Sequence, residues 1–240
     1  MSSGCHDASG ADATLTGVPR IALVGAPNSG KTSVFNGLTG LRAKTGNYPG
    51  VTVSRYVGTA RTGHHRHVIE DLPGTYSLEP ISLDEQITVD VLDGRLEGAD
   101  RPDALLLVVD ATTLRRSLGF LAQVLARGLP ACVVVTFTDE LARRQGRLDV
   151  DAFAQALGVP VLPVVGHHGL GIAQLRDQLT TWRTWQAPAV PPPTDPGEQD
   201  TWADSVLAFA DYPPRSAIGS PGAWTRRCCT RCGGRWSSSQ

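Results

Sequence analysis

Apolar residues fall along this chain in short blocks of two kinds. Ile21 to Val24, Ala104 to Val109, Ala131 to Phe137 and Val159 to Val165 are nearly uninterrupted apolar runs of strand length. Such runs suit strands covered on both faces. Between them, Leu114 to Arg127, Asp151 to Leu157 and Gly171 to Trp185 carry helical spacing, and a shorter stretch, 84–94, ends on Gly94. Ser33 to Leu38 suits the opening of another helix. Val53 to Ala60 and His64 to Glu70 read as the two strands of a hairpin, with Thr62 and Gly63 in the turn. Arg42 to Val53 holds two glycines and a proline and is expected to be loop until Val51. Strand and helix thus alternate over 19–185, broken only by the hairpin. The alternation predicts an α/β fold: a mostly parallel central sheet with one antiparallel edge strand and helices on both faces.

The flanks read differently. Residues 1–18 are rich in Ser, Gly, Ala and Asp and are expected to be a mobile leader. A Pro-rich linker occupies 186–198. Residues 199–212 suit a fragment of a helical domain, with Trp202, Val206 and Phe209 on one face. Residues 213–240 form an irregular tail.

Composition removes several classes. With 240 residues and a formal net charge of -1, the chain lacks the basic footprint of a nucleic-acid binder. The five cysteines, Cys5, Cys132, Cys228, Cys229 and Cys232, do not form a secreted disulfide framework. Cys132 lies inside an apolar run and reads as a small core residue. No apolar run reaches the roughly 18 residues a membrane span needs, and the N-terminus lacks a signal-peptide layout. A cytoplasmic protein is expected. His64, His65 and His67 have no third ligand on a shared face, so a solvated hairpin tip is expected there. Cys5 and His6 read as solvated tail, and the C-x-x-C of Cys229 and Cys232 lacks the second pair that zinc requires.

The chemistry begins at Gly25-Ala26-Pro27-Asn28-Ser29-Gly30-Lys31-Thr32-Ser33, which fills the pattern G-x-x-x-x-G-K-S/T. A strand run precedes it and a helix follows, the context a phosphate-binding loop requires. Backbone N–H groups of such a loop curl round phosphates, and the helix N-terminus adds positive dipole. Lys31 is expected to reach the β- and γ-phosphates, and the Thr32 hydroxyl to bind Mg²⁺. In nucleotide switch proteins the next segment carries a threonine that closes over Mg²⁺ and the γ-phosphate. Thr52 is the first choice and Thr45 the second. Asp71-Leu72-Pro73-Gly74 follows a strand end, 40 residues after Lys31. Asp71 is placed to approach Mg²⁺, and the Gly74 N–H to sense the γ-phosphate. Residues 75–83 then form a second switch.

Asp139, just beyond the 131–137 strand, stands where such proteins read guanine. A carboxylate there accepts from both N1–H and the exocyclic amine, a donor pair that adenine lacks. The usual motif is N-K-x-D; here it is Thr136, Phe137, Thr138 and Asp139. Thr136 is too short for all the bonds of the asparagine it replaces, so guanine selectivity is expected to remain while affinity falls by about 1–2 kcal/mol. The element beside the base, normally S-A-x, falls at Val165, Gly166 and His167. Lys31, Thr52 and Asp139 are expected to converge on a single Mg·GTP at one edge of the sheet.

Taken together, G-A-P-N-S-G-K-T, T-G-N-Y-P-G-V-T-V, D-L-P-G-T-Y-S-L, S-L-D-E-Q and V-V-D-A-T resemble the cytoplasmic G domain of the bacterial ferrous iron transport protein B family over about residues 19–185. The family more often has tryptophan where Tyr48 stands. The resemblance implies a P-loop G-domain fold and a GTP-operated switch attached to a membrane permease that carries Fe²⁺. It also implies that Asn28 helps hold a K⁺ ion beside the phosphates. Thr75 stands where Ras-like proteins have a water-positioning glutamine, so slow hydrolysis to GDP is expected. The resemblance implies a helical domain, then a membrane domain, beyond the linker. Residues 224–240 are expected to be out of frame, because codon choice permits an alternative string resembling the entry to the family's first membrane helix. The chain would then be a truncated transporter, able to bind nucleotide but not to move iron. Two other readings are a stand-alone GTPase of the ribosome-assembly or tRNA-modification type and a catalytically inactive nucleotide-binding remnant.

Overall fold

A computed structural model describes residues 17–41, 43–166 and 169–213. Its centre is a seven-stranded sheet whose strands are β1 (Arg20–Gly25), β2 (Ala43–Asn47), β3 (Ser54–Thr62), β4 (His65–Asp71), β5 (Ala104–Asp110), β6 (Ala131–Thr136) and β7 (Val161–Val164). They lie in the order β2-β3-β4-β1-β5-β6-β7. From β4 to β7 every neighbouring pair is parallel, with Ile21 flanked by Ile69 and Ala104. Strand β3 runs antiparallel to both β2 and β4.

The apolar runs become strands because both of their faces are covered. Ala22, Val24, Leu105, Leu107, Val133 and Val135 belong to one core cluster, and Ile21, Leu23, Leu106, Val108, Cys132 and Val134 to the other. The first packs against α2 (Leu83–Asp93), α3 (Leu114–Leu125) and α5 (Val150–Leu157). The second packs against α1 (Lys31–Thr39) and α6 (Ile172–Thr180). Cys132 is fully buried, and burial pushes its thiol up to about 12, so it serves as core. The helices begin and end where local chemistry allows. Ser82 and Glu85 form a capping box on α2, Asp149 caps α5, and glycines in left-handed conformation close α1, α2 and α5.

Four expectations need correction, and one helix was not expected. The Arg42 to Val53 segment is not loop up to Val51, because Ala43–Asn47 forms β2 at the sheet edge. All five β2 residues are exposed, so the strand rests on backbone bonds to β3 and leaves no apolar pattern. A short helix, α4 (Thr138–Arg143), follows β6 directly. The helix expected to reach Trp185 stops at Thr180, and Trp182–Thr184 is a 3-10 turn. There the Thr180 and Thr181 hydroxyls donate to the carbonyls of Asp177 and Gln178, local bonds that compete with helix propagation. Within the linker, Asp195 caps α7 (Pro196–Phe209), which buries Gln199, Ala203, Val206 and Leu207 while Phe209 is 59% exposed. Helix α7 lies on α3 and α5, which selects that face. Finally, His67 is buried, whereas His64 and His65 are exposed. Burial holds its imidazole below the ordinary range.

Cys5, His6, Arg42, His167, the cysteines at 228, 229 and 232 and the proposed frame change lie outside the described residues. Among the described residues no three His, Cys, Asp or Glu side chains cluster as a metal site, and no helix is long and apolar enough to cross a membrane.

Candidate nucleotide site

The loop between β1 and α1 is shaped by close backbone approach. A Cβ on Gly25 would sit 2.3 Å from the Val108 carbonyl oxygen on β5, so only glycine fits. Asn28 and Gly30 adopt left-handed backbone, with φ of 61° and 87°, and Ser29 N–H donates to Ala26 O at 3.3 Å. Pro27 and Asn28 are exposed at the loop tip and Ala26 is half-buried. Lys31 opens α1, is buried, and donates through Nζ to Gly25 O at 3.3 Å. Thr32 and Ser33 follow it, exposed, in the first turn.

Asp71 ends β4 beside Leu23 of β1, which carries its carboxyl to the same sheet edge. Burial raises it to about 6, while the Lys31 ammonium opposes that rise. Burial likewise lowers the Lys31 ammonium, and Asp71 works the other way. Asp71 Oδ1 is buried and makes no hydrogen bond among the described residues, and the same holds for Ser29 Oγ. Gly74 lies against the loop: a Cβ there would come within 2.9 Å of Pro27 N and 3.0 Å of Lys31 Nζ. Thr75 N–H donates to Gly25 O at 3.3 Å, so the segment after Asp71 is tied to the phosphate-loop entrance.

Lys31, Thr52, Asp71 and Gly74 line one cavity of about 480 Å³. Tyr56 and Asp84 line it too, and sequence reasoning missed both. Tyr56 alternates like any exposed strand residue, and Asp84 looks like ordinary first-turn charge on α2. Thr52 sits on a turn closed by Tyr48 N–H to Val53 O at 3.0 Å and by Val51 N–H to Tyr48 O at 3.2 Å. Tyr48, 1% exposed, pins that turn into the core. Burial first, and the Glu70 carboxylate next, hold its hydroxyl above the ordinary range. Thr45, the second choice, lies on the edge strand opposite Tyr56 and does not line the cavity.

The base-reading residues do not share that cavity. Asp139 opens on a second one, of about 310 Å³, together with Asp110, Phe137 and Arg143. Both cavities open at the C-terminal ends of the parallel strands, so Lys31, Thr52 and Asp139 lie along one edge of the sheet, and Thr136 ties β6 to the phosphate loop. Its hydroxyl reaches Ser29 O at 2.7 Å and Val109 O at 3.1 Å, and its methyl packs on Gly30. The threonine thus keeps one tie to the phosphate loop despite its shorter side chain. Gly166 lies against Ser33 of α1, where a Cβ would approach Ser33 Cβ to 2.7 Å.

Comparison with known proteins agrees with this geometry. The model of the family described as ferrous iron transport protein B matches residues 19–179. The Fe(2+) transporter FeoB of Salmonella typhimurium is 46% identical over 160 residues, covering 65% of this chain and 20% of that protein. The Shigella flexneri transporter is 44% identical over the same length. The chain therefore spans about one fifth of the length of the curated relatives it matches. Among solved structures, the cytosolic domain of L. pneumophila FeoB matches with a TM-score of 0.64 at 36% identity, over 70% of each chain. The G domain of T. maritima FeoB matches with a TM-score of 0.63 at 33% identity, over 70% of this chain and 99% of that one. A GDP-bound variant of the S. thermophilus FeoB G-domain matches at 0.62 and 36%, over 72% of this chain and 63% of that one.

Proposed function

Because the chain belongs to the ferrous iron transport protein B family, we propose that residues 19–185 bind GTP and hydrolyse it slowly as the switch domain of a ferrous iron transporter. The observation that carries this reading is the meeting of Lys31, Thr52, Asp71 and Gly74 around one cavity, contributed by three separate segments. Lys31 would neutralise the β- and γ-phosphates, backbone N–H groups of Gly25 to Ser33 would cradle them, and the Gly74 N–H would meet the γ-phosphate. The buried, unpartnered Asp71 Oδ1 fits a role toward Mg²⁺, with Thr32 and Thr52 supplying hydroxyls. When bound, the ion would neutralise charge building between the β- and γ-oxygens. Asn28, exposed at the loop tip in left-handed backbone, is the side chain offered to K⁺.

Slow turnover follows from Thr75. It is fully buried, and its hydroxyl is engaged with Ser77 O and with Glu85 Oε1 at 3.2 Å, so it does not position an attacking water. Phosphoryl transfer draws most of its catalysis from positioning and charge stabilisation, and one positioning group is missing. Asp139 would select guanine, with Thr136, Gly166 and His167 near the base. In the longer proteins of the family, this domain would sit on the cytoplasmic side of a permease that carries Fe²⁺, with the residues before α7 as linker and α7 opening a helical domain. A stand-alone GTPase of the ribosome-assembly type is disfavoured by the family assignment.

Titration with labelled GTP, GDP and ATP tests the reading. Guanine preference is expected, and equal binding of ATP would favour the inactive remnant. Turnover measured in potassium against sodium tests Asn28: faster hydrolysis in potassium is expected, and equal rates would remove its role.

A further inference from the structure

We propose that Glu70 and Arg55 are positioning residues that hold the turn carrying Thr52 closed over the phosphate cavity, from the core side, before nucleotide binds. The role given to Thr52 rests on the guanine-nucleotide reading above, whereas the anchor rests on contacts within the protein. Glu70 is fully buried in β4, and its neighbours on the same strand face, Val68 and Leu72, are buried and apolar. An apolar side chain at 70 would serve the core as well, since a buried ion pair is not in general more stabilising than hydrophobic packing. Instead the carboxylate takes two guanidinium groups. Arg55 donates Nε–H to Oε1 at 2.8 Å and a second N–H to Oε2 at 3.4 Å, and Arg20 donates to Oε2 at 3.0 Å. The two-point contact of Arg55 fixes direction as well as distance.

The two arginines lead to different places. Arg20 opens β1 and also pairs with the exposed Asp100 side chain, away from the phosphate cavity. Arg55 follows the Thr52 turn, and its guanidinium lies 5.6 Å from the centre of the Tyr48 ring, which precedes the turn. Burial, then the Glu70 carboxylate, raises the Tyr48 hydroxyl, so that side chain faces the same carboxylate. Between them the turn is closed by Tyr48 N–H to Val53 O and Val51 N–H to Tyr48 O. Both ends of the Thr52 turn are thus fastened at one buried group. The residue after Glu70 is Asp71, which lines the phosphate cavity together with Thr52. Successive strand residues face opposite ways, so the anchoring carboxylate and the cavity carboxylate sit back to back on β4.

The pair of arginines supplies its own control. Arg55→Met and Arg20→Met each remove one guanidinium from the same carboxylate, and only the first unfastens the turn. If Arg55→Met leaves the turn closed about a tenth of the time, affinity for a non-hydrolysable GTP analogue falls about tenfold relative to GDP. Exchange of the Tyr48 and Val51 amides in the nucleotide-free protein should quicken by about tenfold or more. Arg20→Met should lower the thermal midpoint yet leave the affinity ratio and that exchange at wild-type values. Wild-type values in Arg55→Met, or equal changes in both variants, overturn the proposal and leave an ordinary ion pair. Should Arg55→Met fail to fold, Arg55→Lys keeps a charge on Glu70 and removes the two-point contact. It is expected to shift both readouts in the same direction, and wild-type values there overturn the proposal too. A wild-type protein that binds no guanine nucleotide refutes the reading beneath, and amide exchange alone then decides whether Arg55 anchors the turn.

Discussion

Replacing Thr136 with valine isolates the tie between β6 and the phosphate loop. Valine keeps the shape of threonine and its Cγ2 packing on Gly30, and removes only the hydroxyl. That hydroxyl carries a single proton, and the 2.7 Å contact to Ser29 O is shorter than the 3.1 Å contact to Val109 O. The bond lost is therefore chiefly the one to the phosphate loop. Losing it in a buried setting leaves a carbonyl without its partner and frees the Ser29–Gly30 peptide, whose N–H faces phosphate on the proposed reading. A buried neutral bond of this kind is worth about 1–2 kcal/mol, or about five- to thirtyfold in an equilibrium constant. Because the tie acts on the loop, GDP and inosine diphosphate should weaken by the same factor, and their affinity ratio should stay at the wild-type value. Calorimetric titration of both nucleotides into the two proteins, with circular dichroism to verify folding, reads this directly. A changed ratio would make Thr136 a base reader instead. Unchanged affinities together with an unchanged thermal midpoint would show that the hydrogen bond does nothing measurable.

Three further outcomes are expected. Glu70→Ala removes the buried carboxylate that holds Arg20 at 3.0 Å and Arg55 at 2.8 Å, and should cost about 3–5 kcal/mol in urea unfolding; a loss below about 1 kcal/mol would refute that role. Gly25→Ala drives a Cβ to 2.3 Å from the Val108 carbonyl, a backbone atom that cannot swing aside, so stability should fall by about 1–3 kcal/mol and GDP binding should be lost in titration. Asp71, raised to about 6 from 3.8, keeps its proton in the folded nucleotide-free protein where the unfolded chain has lost it. Stability is then fullest below about pH 4 and falls as pH climbs through about 6, by up to about 3 kcal/mol. Asp71→Asn should flatten that slope in pH-dependent unfolding, and an unchanged slope would assign it to another group.

What was readable in the chain, and what was not, follows from where each signal resides. Strands β5 and β6 were plain because burial on two faces forces unbroken apolar runs, and Lys31, Asp71 and Gly74 because strand ends deliver them to one edge at fixed spacings. Strand β2 was invisible for the opposite reason: no side chain of Ala43–Asn47 is buried, and backbone pairing carries no residue signature. The face of α7 was misjudged because Trp202, Val206 and Phe209 form as regular a stripe as Ala203, Val206 and Leu207, and only the position of α3 and α5 chooses between them. His67 was placed in solvent because sequence shows that it shares a strand face with His65 but not where the covering helix stops.

The site divides along the same line. Residue type and spacing point to the groups proposed to touch phosphate, because that chemistry depends on which side chains and glycines are present. The tie between β6 and the phosphate loop depends on where two carbonyls lie, those of Ser29 and Val109. A threonine in the asparagine position therefore reads as a deficit in one dimension and as a tether in three. The altered motif leaves the phosphate loop anchored, and on the proposed reading it leaves base selection to Asp139. On that reading, loss of base selectivity and loss of phosphate affinity should be separable by substitution, at 139 for the base and at 136 for the loop.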